Sequence, residues 1–251
     1  MKAIDVYNCL EKLVPEKEAM PGDNTGFLVG DKQSEVKKIL ICLDITTEII
    51  NNAVNTGVNL IITHHPVIWA PLKNVTAESR VFKLIKNGIS VISWHTNLDM
   101  AKGGVNDCLA KALNLKNIKV LDNYEIGFCS RIGELEKELS PYEFAKFVKE
   151  TLGGNIRYTE GKKLIKKVAV CGGAGSDMFI PAILCKADAL VTADIKHSMF
   201  ITAGEKNFTL IDAGHYHTEK LILNPLAEYL KNNLGGEAEI SVTFSTPIKT
   251  L

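Results

Sequence analysis

Apolar and polar positions along the chain sort into short apolar runs separated by stretches of helical period. The runs KILICLD (38–44), NLIIT (59–63), ISVIS (89–93), KKVAVCG (166–172), ADALVT (187–192) and FTLID (208–212) predict strands. Residues 104–113 place Val105, Cys108, Leu109 and Ala112 at i, i+3, i+4 and i+7, one buried helical face. Ser140, Pro141 and Glu143 read as an N-cap, a first-turn proline and a capping box, and Ser176 reads as the cap of a helix reaching Leu184. Pro225, inside TEKLILNPLAEYLKNNL, should kink or split that helix, because its ring clashes with the carbonyl four residues earlier. Strand and helix in regular alternation predict an α/β fold with mixed, largely parallel sheets covered on both faces.

The pattern has a seam. After Leu121 the chain reads DNYEIGFCSRIGELEKELS, a polar turn and an antiparallel hairpin, before a second strand-helix series begins. The expected division is a first α/β lobe over 1–123 and a second over 124–235. The closing EAEISVTFSTP, within about 236–251, reads as a strand whose partner the sequence leaves open, the first lobe being one candidate.

Composition narrows the function classes. At 251 residues and 46% hydrophobic content the chain can bury a sizeable core. Lysine plus arginine equals aspartate plus glutamate at 29 each, and only Arg80, Arg131 and Arg157 are arginines. Neither the field nor the guanidinium forks of a nucleic-acid binder are present. The opening MKAIDVYNCLEKLVPEK breaks its apolar positions with charges, and no later run approaches membrane-spanning length, so the expected location is the cytoplasm, with no membrane partner. The six cysteines, at 9, 42, 108, 129, 171 and 185, form no closely spaced pair and read as buried thiols rather than as a disulfide frame or zinc ribbon.

Six histidines change the picture: His64 and His65 in THHP, His95 in SWHTNLD, His197 in TADIKH, and His215 and His217 in DAGHYHTE. Each follows a predicted strand, where ligands of open α/β sheets gather. Any one of them taken alone is better read as a satisfied strand-end residue. Together with an adjacent pair and an H-x₃-E, they favour metal coordination. Adjacent residues of an extended chain point to opposite sides, so His64 and His65 would serve two positions unless the chain turns between them. His215 and Glu219, four apart, would share a helical face, and Asp99 offers an oxygen ligand from another segment. Such a set suits two bridged cations. His95 reads as an orienting neighbour, His197 as a ligand, proton donor or lid residue, and His217 as exposed or substrate-facing. The glycine turns PGDNTGFLVGD and CGGAGSDM add little: the second could cradle an anion, but a tight strand-to-helix turn needs glycines anyway, and it lacks the Walker lysine.

The segments DN-TGFLVG, CLDIT, NLIITHHPVIW, SWHTNLDMAKGGVND, GGAGSDM, ADALVTADIKH and DAGHYHTE, in that order, resemble the motif series of the Ngg-interacting factor 3-like proteins, whose bacterial members are labelled GTP cyclohydrolase type 2 homologues. The resemblance spans nearly the whole chain. It implies two α/β lobes with a dinuclear metal site between them and a homohexameric toroid. Its metal ligands would be His64, His65, Asp99, His215 and Glu219, holding two divalent transition ions per chain (Zn, Fe, Mn, Ni or Co), with His95 and His197 as catalytic candidates lining the cavity. Thr192-Ala193-Asp194 and Ser198 depart from the family pattern, and the inserted domain of longer relatives is missing. The expected function is a metal-dependent hydrolase acting on a nucleotide or similar small polar substrate, with a metal-handling or interaction scaffold as the alternative.

Overall fold

The computed structural model describes residues 1–121 and 130–249. The first run of elements is α1 (Ala3–Leu13), β1 (Gly26–Val29), β2 (Lys38–Cys42), α2 (Thr47–Thr56), β3 (Leu60–Thr63), α3 (Arg80–Lys86), β4 (Ser90–Ser93) and α4 (Thr96–Met100). The second is α5 (Val105–Ala112), β5 (Lys116–Leu121), β6 (Ser130–Leu139), α6 (Pro141–Leu152), β7 (Arg157–Tyr158), β8 (Ile165–Val170), α7 (Phe179–Leu184), β9 (Ala189–Thr192), α8 (His197–Glu205), β10 (Thr209–Asp212) and α9 (His215–Glu219). The chain ends with α10 (Leu223–Asn233) and β11 (Glu239–Val242).

The chain forms two compact units, 1–98 with 222–247 and 99–221 with 248–251. In the first, strands order as β1-β4-β3-β2-β11. All neighbours are parallel except β1 on β4. The closing strand therefore lies in this unit, Ile240 opposite Ile39. β2, β3 and β4 are almost wholly buried, and Leu40, Cys42, Ile61 and Val91 share a core with Ile49, Ile50 and Ala53 of α2. That helix has clear ends: the Thr46 hydroxyl accepts from Ile49 N at 3.2 Å, and Gly57 closes it in the left-handed region.

The second sheet orders as β5-β6-β8-β9-β10-β7, parallel across β8-β9-β10 and antiparallel at its other joins. Its inner strands feed two cores by alternation. Val168, Val170, Ala189, Val191 and Ile211 face Phe144 and Val148 of α6. Ala169, Leu190 and Leu210 face Phe179 and Ala182 of α7. The predicted capping box of α6 is formed, Ser140 Oγ accepting from Glu143 N while the Glu143 carboxylate accepts from Ser140 N.

Several expectations are corrected. The units divide at Leu98/Asp99, inside α4, and not near residue 123, which lies outside the described residues. The reason is packing: Leu109, Leu113 and Leu115 join the core of Phe144, so α5 and β5 belong to the second sheet. The turn of the expected hairpin also lies outside the described residues, while its arms pair antiparallel, Leu121 opposite Ser130. GFLV, read only as part of a glycine-rich turn, is strand β1. Ser176 begins a 3-10 turn and does not cap α7, which follows Met178. The split before Pro225 occurs at the 3-10 turn Lys220–Ile222, leaving the proline in the first turn of α10, where a missing N–H costs nothing. Cys185 is exposed, against the expectation of a buried thiol. Among the described residues no helix is long and apolar enough to cross a membrane.

Candidate metal centre

In the first unit the chain bends at His64 and His65 directly after β3. Thr63 makes the bend, its hydroxyl donating to Leu43 O at 2.6 Å and lying 3.1 Å from His65 O. Both imidazoles therefore end on one side, the exception that strand alternation allows where the chain turns. Ring centroids are 5.0 Å apart for His64 and His65, 5.2 Å for His64 and His95, and 5.8 Å for His65 and His95. One ring nitrogen from each of the three lies within 4.8 Å of the others.

Each ring is held by its other nitrogen. His64 Nδ1 lies 3.0 Å from Trp94 O, which can only accept, so Nδ1 carries a proton and donates it. His65 Nδ1 lies 2.8 Å from Asp44 Oδ1, and His95 Nδ1 lies 2.8 Å from Asp23 Oδ1. Burial works against ionising Asp23, but hydrogen bonds from His95 and Thr96 outweigh it and lower its pKa to about 2, so it faces His95 as a carboxylate.

The second unit repeats the device. His215 opens α9 and Glu219, 3% exposed, closes it, so their four-residue spacing brings Nε2 within 3.1 Å of Oε2. His215 Nδ1 lies 2.7 Å from Asp194 Oδ2. Asp99 sits in α4, its backbone carbonyl accepting from Asn106 Nδ2 at 3.1 Å. Asn106 also accepts from Gly172 N through Oδ1 at 2.8 Å, tying Asp99 to the CGGAGSDM turn. Two amides of that turn have partners within the fold: Gly173 N donates to Thr218 Oγ1 and Gly175 N to Thr192 Oγ1. Its glycines serve proximity, since a Cβ on Gly173, at φ +60°, would overlap the Glu219 carboxylate.

His197 begins α8 and is exposed. His217 is half-buried rather than exposed, its Nδ1 3.0 Å from Leu152 O, and burial lowers its pKa. Sequence reasoning passed over Asp23 and Asp44, and it gave Asp194 no part behind His215. The only signal for the first two was their place in GDNTG and CLDIT, beside motifs already singled out.

The donor chemistry fits divalent transition ions. Four imidazoles have Nδ1 against an oxygen acceptor, the arrangement that metal-ligating histidines share. A buried carboxylate beside His215 Nε2 adds the hard donor that zinc, iron, manganese, nickel or cobalt accept with imidazole.

A family model, Duf34/NIF3 (NGG1p interacting factor 3), matches residues 1–250. A Clostridium perfringens protein named GTP cyclohydrolase 1 type 2 homolog is 33% identical, covering 97% of this chain and 96% of its own. One of the same name from Methanocaldococcus jannaschii is 35% identical, covering 97% and 100%. Among solved structures, the Staphylococcus aureus hypothetical protein SA1388 superposes with a TM-score of 0.90 at 29% identity, covering 100% of this chain and 99% of its own. Reduced HcgD from Methanocaldococcus jannaschii superposes at 0.84 with 34% identity, covering 98% of each.

Proposed function

The chain belongs to the Duf34/NIF3 family, and from that premise we propose that it is a dinuclear-metal protein that hydrolyses a nucleotide or similar small polar substrate. His64, His65, Asp99, His215 and Glu219 supply the ligands. The observation that carries this reading is the fixing of His64, His65 and His215 through Nδ1, by Trp94 O, Asp44 and Asp194, which makes Nε2 the nitrogen that would reach a cation. When bound, a pair of divalent cations supplies Lewis acidity for attack by water. His95, held by the Asp23 carboxylate, gives or takes a proton at Nε2, and the exposed His197 is the second candidate for that role.

A second reading, metal handling without turnover, draws on the arginines. Arg80 donates to Ile45 O, Arg131 is paired with Asp107 and Arg157 with Asp212, so each is engaged in the fold and offers little to a triphosphate. Elemental analysis and native mass of the purified chain, followed by a nucleotide panel on the metal-loaded protein and on His65→Ala and Glu219→Ala, test the proposal. It expects about two ions per chain, a six-copy assembly, and turnover lost in both variants. Tight metal binding with no turnover in the unaltered protein would leave metal handling or an interaction scaffold.

A further inference from the structure

In the first unit one large side chain stands beside the histidines and has no part in the donor set. Trp69 is 61% exposed, although tryptophan is ordinarily well buried. Its ring centroid lies 5.1 Å from that of His95 with the planes at 90°, and 6.3 Å from that of His65. With most of its surface in solvent, at least one face of the indole is uncovered. Its foothold is nevertheless fixed: Val67 is part of the core, Ile68 packs on that core, and Ile68 O accepts from Asn24 Nδ2 at 2.6 Å. The residue before Asn24, Asp23, holds His95. One short loop thus sets both the imidazole and the base of the exposed indole.

We propose that Trp69 is a stacking platform for a planar heteroaromatic ring of the substrate, of the nucleobase kind, seated alongside His65 and His95. The inference rests on the hydrolase reading and names the part of the substrate that this site grips. Two observations point to a ring and not to a phosphate. Each of the three arginines already donates to an oxygen within the fold, which weakens the case for a guanidinium grip on a phosphate. A pre-positioned aromatic face receives a base without ordering cost, and stacking works for any base because every base has a π-face. The exposed Leu72 and Val75 on the same loop raise a rival, in which the indole meets a second copy of the chain.

The chain has two tryptophans, and Trp94 is fully buried, so an added ligand can reach only Trp69. The experiment titrates the full chain, with and without loaded metal, with guanosine, adenosine and cytidine, and with ribose as the ring-free control, reading tryptophan emission and calorimetric affinity. Saturable quenching by at least one nucleoside and none by ribose is expected. Trp69→Ala should weaken that binding roughly tenfold or more and Trp69→Phe roughly threefold at most, with Trp94 emission unchanged as the sign of an intact fold. Binding in Trp69→Ala within twofold of the unaltered chain, no saturable quenching by any nucleoside, or a concentration-dependent mass that only Trp69→Ala abolishes would overturn the proposal. The failures are separable on the same samples. Quenching retained without metal or turnover removes the hydrolase reading alone, and turnover with unaltered Trp69→Ala binding removes this one alone.

Discussion

Replacing Asp44 by alanine takes away the oxygen 2.8 Å from His65 Nδ1, and Asp194→Ala does the same to His215 at 2.7 Å. Such acceptors fix the ring's orientation and tautomer and raise its basicity, and losing one costs roughly 10–100-fold in metal affinity. At about 1.4 kcal/mol per decade, that is ~1.4–2.8 kcal/mol per variant. The effect on folding should be much smaller. The side chains of Asp44 and Asp194 are 49% and 57% exposed, and exposed pairs contribute no more than about 1 kcal/mol. His64 is the internal reference, since its acceptor is the Trp94 backbone carbonyl, which no side-chain change removes. Asp44→Asn keeps a neutral acceptor oxygen and should fall between the unaltered chain and Asp44→Ala. Metal dissociation constants by chelator competition, set beside thermal unfolding of the metal-free proteins, separate the two effects. Affinity unchanged within twofold in both alanine variants would refute the reasoning. So would a loss of metal-free stability as large as the loss of binding, since the aspartates would then be serving the fold.

Three further outcomes follow from individual contacts. Arg131 is buried and donates to Asp107 at 2.5 Å, to Met100 O and Ala101 O from one nitrogen, and to Ser130 O. Arg131→Met should therefore destabilise by about 3–5 kcal/mol in denaturant unfolding, and adding Asp107→Ala should cost less than the two single losses combined; additive losses would show the pair is not coupled. Gly173→Ala forces a side chain into the left-handed region against Glu219, and a loss of about 1–3 kcal/mol with weakened metal binding is expected in melting and metal titration. For Asp23, the folded pKa of about 2 lies below the ordinary 3.8, so its contribution, about 2 kcal/mol, is present above pH 4 and lost as pH falls toward 2. Asp23→Asn should flatten that stretch of the acid-unfolding curve, and an unchanged slope would count against the assignment.

Residues that act through their neighbours in sequence are legible in the sequence itself. The buried strands, the capping box at Ser140 and the shared face of His215 and Glu219 follow from period and spacing alone. The histidine set is visible because composition and order in the chain carry it. The acceptors behind the imidazoles are not. Asp44 lies 21 residues from His65, Asp23 72 from His95 and Asp194 21 from His215, and aspartate at a strand end or turn has many uses that no local pattern separates.

The sequence by itself determined most of the element types, the α/β class and the candidate donors, because helix and strand periods and side-chain chemistry are local properties. Only the tertiary structure decided where the units divide, which way the chain bends at His64 and His65, and which oxygen holds each ring. Those depend on packing and hydrogen bonds between segments that are distant in the chain, such as Leu109 against Phe144 and Asp23 against His95.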